Sequence, residues 1–288
     1  MISDYRCFYC FVRAFEKTLA KSDIPKEAKN SFTREMVNYY HAKWDNLNSP
    51  EFARELHHLL RSFTQNPDPY KEEKRRYNDI ALSLIPELKK NLNHNNPDAF
   101  LTALRLSIAG NIIDFAACDS FNLEKTIATA LDSKLAIDNS DKLRLAVQKA
   151  GSILFLGDNV GEIVFDRLFI EVLNHPNLTY VVRGAPVIND ATLEDAEYTG
   201  MKRIARVISS GYDAPSTIPE KSSPEFQEYF RNADLIISKG QGNLEGLVHL
   251  SDQRIYFLLM AKCDVMAEFL KVPKNSLVVY NSSSDTNK

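Results

Sequence analysis

Glycine is absent from the first 109 of the 288 residues. At average usage about seven would fall there. Prolines persist through the same stretch, at Pro25, Pro50, Pro67, Pro69, Pro86 and Pro97, so it reads as helices broken by prolines. An excess of one charge is missing too. With 35 basic against 38 acidic side chains the net charge is −3, which excludes the basic footprint of a nucleic-acid binder. No apolar run reaches ~18 residues, so no membrane-spanning helix is expected. The first residues lack a charged-then-apolar export pattern, and a cytoplasmic location is expected. Four cysteines in a chain this long make no disulfide framework.

The ten glycines begin at Gly110, so the architecture changes between residues 110 and 150. Before that point apolar residues recur at three- and four-residue spacing. They do so around Cys10, Ala14 and Leu19, over Phe52–Leu60, Tyr77–Leu92 and Phe100–Ile113, and charges lie between them, as amphipathic helices require. Lys142–Ala150 reads as one more helix, ending at Gly151. After it, short apolar runs alternate with helical stretches. The runs are Ile153–Leu156, Thr179–Val182, Ile204–Ile208, Leu235–Ile237, Ile255–Leu259 and Leu277–Val279. The helices are Glu162–Leu173, Leu193–Thr199, Glu225–Phe230 and Cys263–Leu270. Unbroken β-branched runs are the mark of strands buried on both faces of a parallel sheet, and the alternation predicts a layered α/β fold. The expected organisation is a mainly helical region over 1–140, an α/β core over 141–280, and a polar, disordered tail over 281–288.

In open α/β sheets ligands bind beyond the carboxyl ends of the strands, and polar residues crowd those positions here. Gly157-Asp158-Asn159-Val160-Gly161-Glu162 follows the first run. Arg183 to Thr192 (RGAPVINDAT) follows the second, and Ser238 to Glu245 (SKGQGNLE) the fourth. Asp158, Asn159 and Asp190 supply carboxylate and amide oxygens, which suit hard cations such as Mg²⁺ or Mn²⁺. Lys239 supplies a positive point charge. Gly240 and Gly242 precede an expected helix, whose backbone N–H groups would face an anion. A divalent metal, a lysine and a helix N-terminus are the equipment for handling a phosphoryl group. Each loop taken singly also fits a turn or an N-cap, so the residues alone leave both readings open.

These stretches resemble the damage-control phosphatase family, also called the acidic-residue methyltransferase-like family. Asp-Pro-Tyr-Lys at 68–71, Gly-Asn-Ile-Ile-Asp-Phe at 110–115 and Cys-Phe-Tyr-Cys at 7–10 extend the likeness over nearly the whole chain, in order, and point to its prokaryotic branch. The resemblance implies a three-layer α/β/α Rossmann-like core with a helical N-terminal region. It also implies a metal-dependent phosphatase of small phosphorylated metabolites such as sugar phosphates. The implied metal ligands are Asp158, Asn159 and Asp190, for Mn²⁺, Ni²⁺, Co²⁺ or Mg²⁺. The implied phosphate-contacting lysine is Lys239. Catalytic candidates are therefore Asp158, Asp190 and Lys239. Asn111, Asp114, Glu162, Arg183 and Asn243 join Lys239 as candidate substrate contacts.

Two other functions are compatible with these residues. One is an S-adenosylmethionine-dependent carboxyl methyltransferase, which has no need of a metal triad plus lysine. The other is a non-enzymatic metal- or metabolite-binding protein. Cys7 and Cys10, one helical turn apart, are expected to pack rather than ligate, as is Trp44. His57 and His58 are expected at a surface or interface. Gly157–Gly161 lacks the G-x-G-x-x-G pattern of a dinucleotide loop.

Overall fold

The computed structural model describes residues 4–46, 48–92, 96, 98–112, 127–129 and 131–282. The side chains of 91, 111 and 112 fall outside that description. Five helices come first: α1 (Tyr5–Lys21), α2 (Lys26–Lys43), α3 (Ser49–Thr64), α4 (Lys71–Asn91) and α5 (Ala99–Ile112). Seven strands follow: β1 (Leu135–Asp138), β2 (Ile153–Leu156), β3 (Leu178–Val182), β4 (Arg206–Ser209), β5 (Leu235–Lys239), β6 (Ile255–Met260) and β7 (Leu277–Tyr280). Between them run α6 (Ser140–Lys149), α7 (Glu162–Leu173), α8 (Leu193–Tyr198), α9 (Pro224–Asn232), α10 (Gly240–Leu247) and α11 (Asp264–Leu270). Among the described residues no helix is long and apolar enough to cross a membrane.

The sheet order is β1-β7-β6-β5-β2-β3-β4. Each neighbouring pair is parallel except β6 with β7. From β2 the chain winds outward through β3 and β4. It then returns past β2 to lay down β5 and β6 on the other side. The strand order therefore reverses between β2 and β5, and the crevice for a ligand opens at their carboxyl ends.

Two apolar layers sandwich the sheet. One face carries Phe155, Tyr180, Ile237 and Leu258 under α4, α5, α6 and α7. The other carries Leu156, Val181, Ile236 and Phe257 under α9, α10 and α11. Helix α5 is buried along most of its length, consistent with its almost uniformly apolar sequence, FLTALRLSIAG. Helices α1–α3 form a smaller core of their own around Phe15, Phe32, Phe52 and Leu60. The glycine-poor stretch thus divides: α4 and α5 belong to the sandwich, and α1–α3 pack beside it.

The six expected strands are all present, and the α/β class and helical start agree with the sequence reading. The seventh, β1, was not anticipated. It lies at the sheet edge and its exposure alternates, so it lacks the unbroken apolar run that marks a central strand. The antiparallel β7 was not anticipated either. The buried stripe of α1 runs through Phe15 and Leu19, with Phe8, Phe11 and Val12 beside them; Cys10 and Ala14 are exposed. Trp44 is exposed as well and meets Tyr40 edge-on. Gly240 starts α10 rather than preceding it, and Gly242 lies inside its first turn. Asn281, placed in the expected disordered tail, is instead buried and donates to the Gln253 and Ile255 carbonyls; residues 283–288 lie outside the described residues.

One carboxylate of the core, Asp213, gathers three side chains of helix α3. Asp213 accepts from Arg54 Nε at 2.6 Å and Arg61 at 3.0 Å, and meets His58 Nε2 at 2.6 Å. Arg61 also donates to the Pro186 carbonyl at 2.6 Å. The histidine pair therefore splits. His58 serves this interface, while His57 is buried beside Phe15 and Tyr70. Burial, with the charges of Arg61 and His58, lowers His57 to about 3.

Burial alone would raise the Asp213 carboxyl. Hydrogen bonds from Arg61 and Arg54, and the charge of His58, outweigh it and hold the group at about 2. Because the folded-state value lies below the ordinary one, its stabilisation is in full force above pH ~4 and fades as the pH falls toward 2. Asp213→Ala is expected to cost about 2 kcal/mol at pH 7, a few degrees in Tm. The gap from wild type should narrow when thermal unfolding is repeated at pH 3.

Candidate active site at the β2–β5 crevice

The sequence–structure logic of the site starts with two glycines. Gly157 leaves β2 so close to Tyr180 that any Cβ would overlap its hydroxyl. Gly240 has φ +78° and faces Asp158, and a Cβ there would overlap the carboxylate. The β5–α10 turn can approach the β2 turn because Gly240 is bare, and β2 can leave the sheet beside β3 because Gly157 is bare.

The loop after β3 folds back on the β2 turn. An isolated antiparallel bridge joins Asn159 to Asp190. Val160 N–H donates to the Asn189 carbonyl at 2.8 Å, and Ala191 N–H to the Asp158 carbonyl at 2.8 Å. This lacing brings Asp158 and Asp190 onto one guanidinium. Arg183 Nε donates to Asp190 Oδ2 at 2.5 Å, and a terminal nitrogen donates to Asp158 Oδ1 at 3.1 Å. Its other terminal nitrogen donates to Asn243 Oδ1 at 3.0 Å and Thr217 Oγ1 at 3.3 Å. Asn243 closes the ring by donating to the carbonyls of Gly157 and Lys239, at 3.1 and 2.8 Å. The planar five-donor fork of arginine suits this many-sided role.

Asn159 connects a second network. Its Nδ2 donates to Asp158 Oδ2 at 2.8 Å and to Glu162 Oε2 at 3.2 Å. Glu162 Oε1 pairs with Lys239 Nζ at 2.7 Å. That ammonium also donates to Asp166 at 2.5 Å and to the Ser107 carbonyl of α5 at 2.8 Å. Asp166 is completed by the hydroxyls of Ser107 and Tyr180, at 2.7 and 2.9 Å.

Lys239 is where the structure departs from the sequence reading. Rather than facing a phosphate, its amine is fully buried and its three donors already have three partners. Burial would lower its pKa, but Asp166 and Glu162 overcome that and hold it above the ordinary lysine value. The structure places Asp158, Asn159, Asp190, Glu162, Arg183 and Asn243 together. The side chain of Asn111, and Asp114 as a whole, lie outside the described residues.

Charge is unevenly matched in this interior. Four carboxyl groups, Asp158, Glu162, Asp166 and Asp190, lie around two buried cations, Arg183 and Lys239, and the charge of buried Lys74, itself paired with Asp195, also reaches Asp190. Burial, and then the charges of Asp190 and Glu162, push Asp158 up to about 8. Burial raises Asp190 as well, against the pull of Arg183. Burial raises Asp166 to about 6 despite Lys239. Burial is the largest cause of each shift, and groups so perturbed in a crevice are the usual mark of a functional site. Two carboxylates and an amide are donors of the kind that hard divalent cations take. Among the described residues no group of three or more His, Cys, Asp or Glu is gathered to hold a metal, and the oxygen set here counts an asparagine among its three.

Sequence reasoning gave no role to Asp166 and Thr217, nor to Lys262, Lys74 and Asn78. Lys262, exposed just beyond β6, lies close enough for its charge to lower Asp158. Its place after a strand end was the available signal. Lys74 and Asn78 on α4 are buried at the back of the two loops; in sequence they look like ordinary polar helix positions. Cys7 and Cys263 are half-buried and Cys10 is exposed. All three line a cavity of about 420 Å³ away from these carboxylates.

The same chain regions carry the family likeness. The damage-control phosphatase ARMT1-like domain matches residues 3–278. A damage-control phosphatase from Pyrococcus horikoshii is 37% identical over 284 residues, covering 95% of this chain and 96% of the relative. One from Archaeoglobus fulgidus is 33% identical over 231 residues, covering 78% and 80%. An uncharacterized protein from Methanocaldococcus jannaschii is 41% identical over 229 residues, covering 75% and 74%. The crystal structure of a DUF89 family protein from Pyrococcus horikoshii superposes with a TM-score of 0.91 at 32% identity, over 98% of this chain and 99% of that one. On the extent of the domain match and of these relatives alike, this chain belongs to the damage-control phosphatase ARMT1-like family.

Proposed function

We propose that this chain is a divalent-metal-dependent phosphatase that hydrolyses small phosphorylated metabolites, sugar phosphates among them. The observation that carries the reading is the buried surplus of carboxylates at the β2–β5 crevice, with Asp158, Asn159 and Asp190 laced together by one bridge and one arginine. Family membership supports the same reaction class.

In this reading Asp158, Asn159 and Asp190 would hold the cation, which would supply stabilisation of the charge on the phosphoryl oxygens. Arg183 holds the two carboxyl groups in place and its charge opposes the rise that burial imposes on them. Glu162, itself held by Lys239, orients the Asn159 amide. Lys239 thus acts through Glu162 and touches no substrate. The positive charge for the phosphate's outer oxygens comes from Lys262, exposed at the rim. Water supplies the oxygen that joins phosphorus, the ester P–O bond breaks, and the departing alkoxide takes the proton that the water gives up.

The test is phosphate release from a panel of sugar phosphates, with Mn²⁺, Ni²⁺, Co²⁺ or Mg²⁺ added, and labelled S-adenosylmethionine assayed in parallel. The wild type is expected to release phosphate only with metal. Asp158→Ala should lower that rate by about 10³-fold or more, since it removes a charged group from the transition-state environment. Methyl transfer without phosphate release, or full activity in Asp158→Ala, would refute the reading.

The two lysines separate cleanly. Lys239→Met leaves Glu162 and Asp166 buried beside each other without their cation. It is expected to cost about 3–5 kcal/mol of stability in denaturant unfolding. Lys262→Ala should leave stability unchanged and lower kcat/KM by about 10–100-fold. The reverse pattern would return the phosphate contact to Lys239.

A further inference from the structure

Asn78 lies one turn along α4 from Lys74, and its side chain is fully buried. Both ends of its carboxamide are used. Its Oδ1 accepts from Gly161 N–H at 2.8 Å, and its Nδ2 donates to Asp195 Oδ1 at 2.9 Å. Gly161 stands two residues past Asn159, in the turn after β2. Asp195 stands in the first turn of α8, just past Asp190. One amide from the helical region therefore spans the two loops that carry the oxygen set.

Asp195 is itself fixed. Its Oδ2 accepts from the Thr192 N–H at 2.9 Å and the Thr192 hydroxyl at 2.8 Å, and it pairs with Lys74 at 3.1 Å. Lys74 also reaches Asp68, at 3.5 Å. The chain of contacts runs Asp68, Lys74, Asp195, Asn78, Gly161. It gives the Asp-Pro-Tyr-Lys stretch a physical role, since Asp68 anchors the lysine that braces Asp195. Arg183 clamps the same two loops at their carboxylates; Asn78 clamps them from behind, at the backbone.

We infer that Asn78, backed by Asp195 and Lys74, is the positioning residue that sets the separation of the Asp158–Asn159 turn from the Asp190 loop, and so tunes cation affinity. The inference rests on reading that oxygen set as a cation site. An amide fits because it offers a donor and an acceptor on one rigid plane. An alanine would leave the Gly161 N–H without its partner in a buried place. An aspartate would keep that acceptor but set two carboxylates face to face. Partners of this outer kind are worth about 10–100-fold in metal affinity.

The test measures Mn²⁺ binding to the purified full chain from the electron-paramagnetic signal of the free ion, with no substrate present. Asn78→Ala and Asn78→Asp are each expected to weaken binding about 10–100-fold. Adding Asp195→Asn to Asn78→Asp reverses donor and acceptor across the contact. The double variant should recover most of the lost affinity, which a merely structural loss would not do. Affinity unchanged in both single variants, or a double variant as weak as Asn78→Asp, overturns the inference. A wild type that binds no Mn²⁺ is a distinct result. It removes the cation reading itself, and this inference with it.

Discussion

Asp158 and Asp190 come from loops after different strands, yet each leans on the same guanidinium. Arg183 donates to one oxygen of each, and all three side chains are buried. Two carboxylates at close quarters in a low-dielectric interior repel strongly, and a lone arginine there would be an uncompensated charge. Neither loop can hold its conformation without the other. The lacing of Asn159 with Asp190, the bare Cα of Gly240 against Asp158, and the Asn243 contacts all serve to let this one cation sit between them.

The same constraint explains why the helical region is not an accessory. Helix α5 supplies the Ser107 carbonyl to Lys239, and α4 supplies Asn78 to the Gly161 turn. Helix α3 reaches the loop after β3 through Arg61 and the Pro186 carbonyl. Helices α4 and α5 thereby tie off polar groups of the strand-end loops in the interior, and α3 does so in a half-buried place. Lys239 illustrates the division of labour. It stands at the end of β5, pointing into the helical layer, and its charge is spent on Glu162 and Asp166 so that Asn159 can be held at the crevice.

Much of this was legible in the residues. The unbroken apolar runs from Ile153 to Val279 identified six strands, because central parallel strands are buried on both faces. The Gly-Asp-Asn-x-Gly and Asn-Asp-Ala-Thr stretches stood out because polar residues after such strands have few structural reasons to cluster. What stayed hidden has equally physical causes. The edge strand β1 alternates in exposure and is only four residues long. The reversal of β7 leaves no trace in composition. A buried lysine and an exposed one look alike in sequence, so no local pattern showed that the Lys239 amine is enclosed while Lys262 is exposed. Asn78 and Lys74 gain their meaning from loops about 80 to 120 residues further on, a relation that no local pattern encodes.

On the proposed reading, a divalent cation completes an interior in which four buried carboxyl groups lie around Arg183 and Lys239. A ligand that binds the folded chain and not the unfolded one raises its melting temperature with concentration. The direct measurement is thermal unfolding of the metal-free protein against increasing Mn²⁺, beside a variant carrying both Asp158→Asn and Asp190→Asn. The account predicts a Tm that climbs with the logarithm of Mn²⁺ concentration in the wild type and stays level in the variant. A wild-type Tm indifferent to Mn²⁺, Ni²⁺, Co²⁺ and Mg²⁺ alike would contradict it.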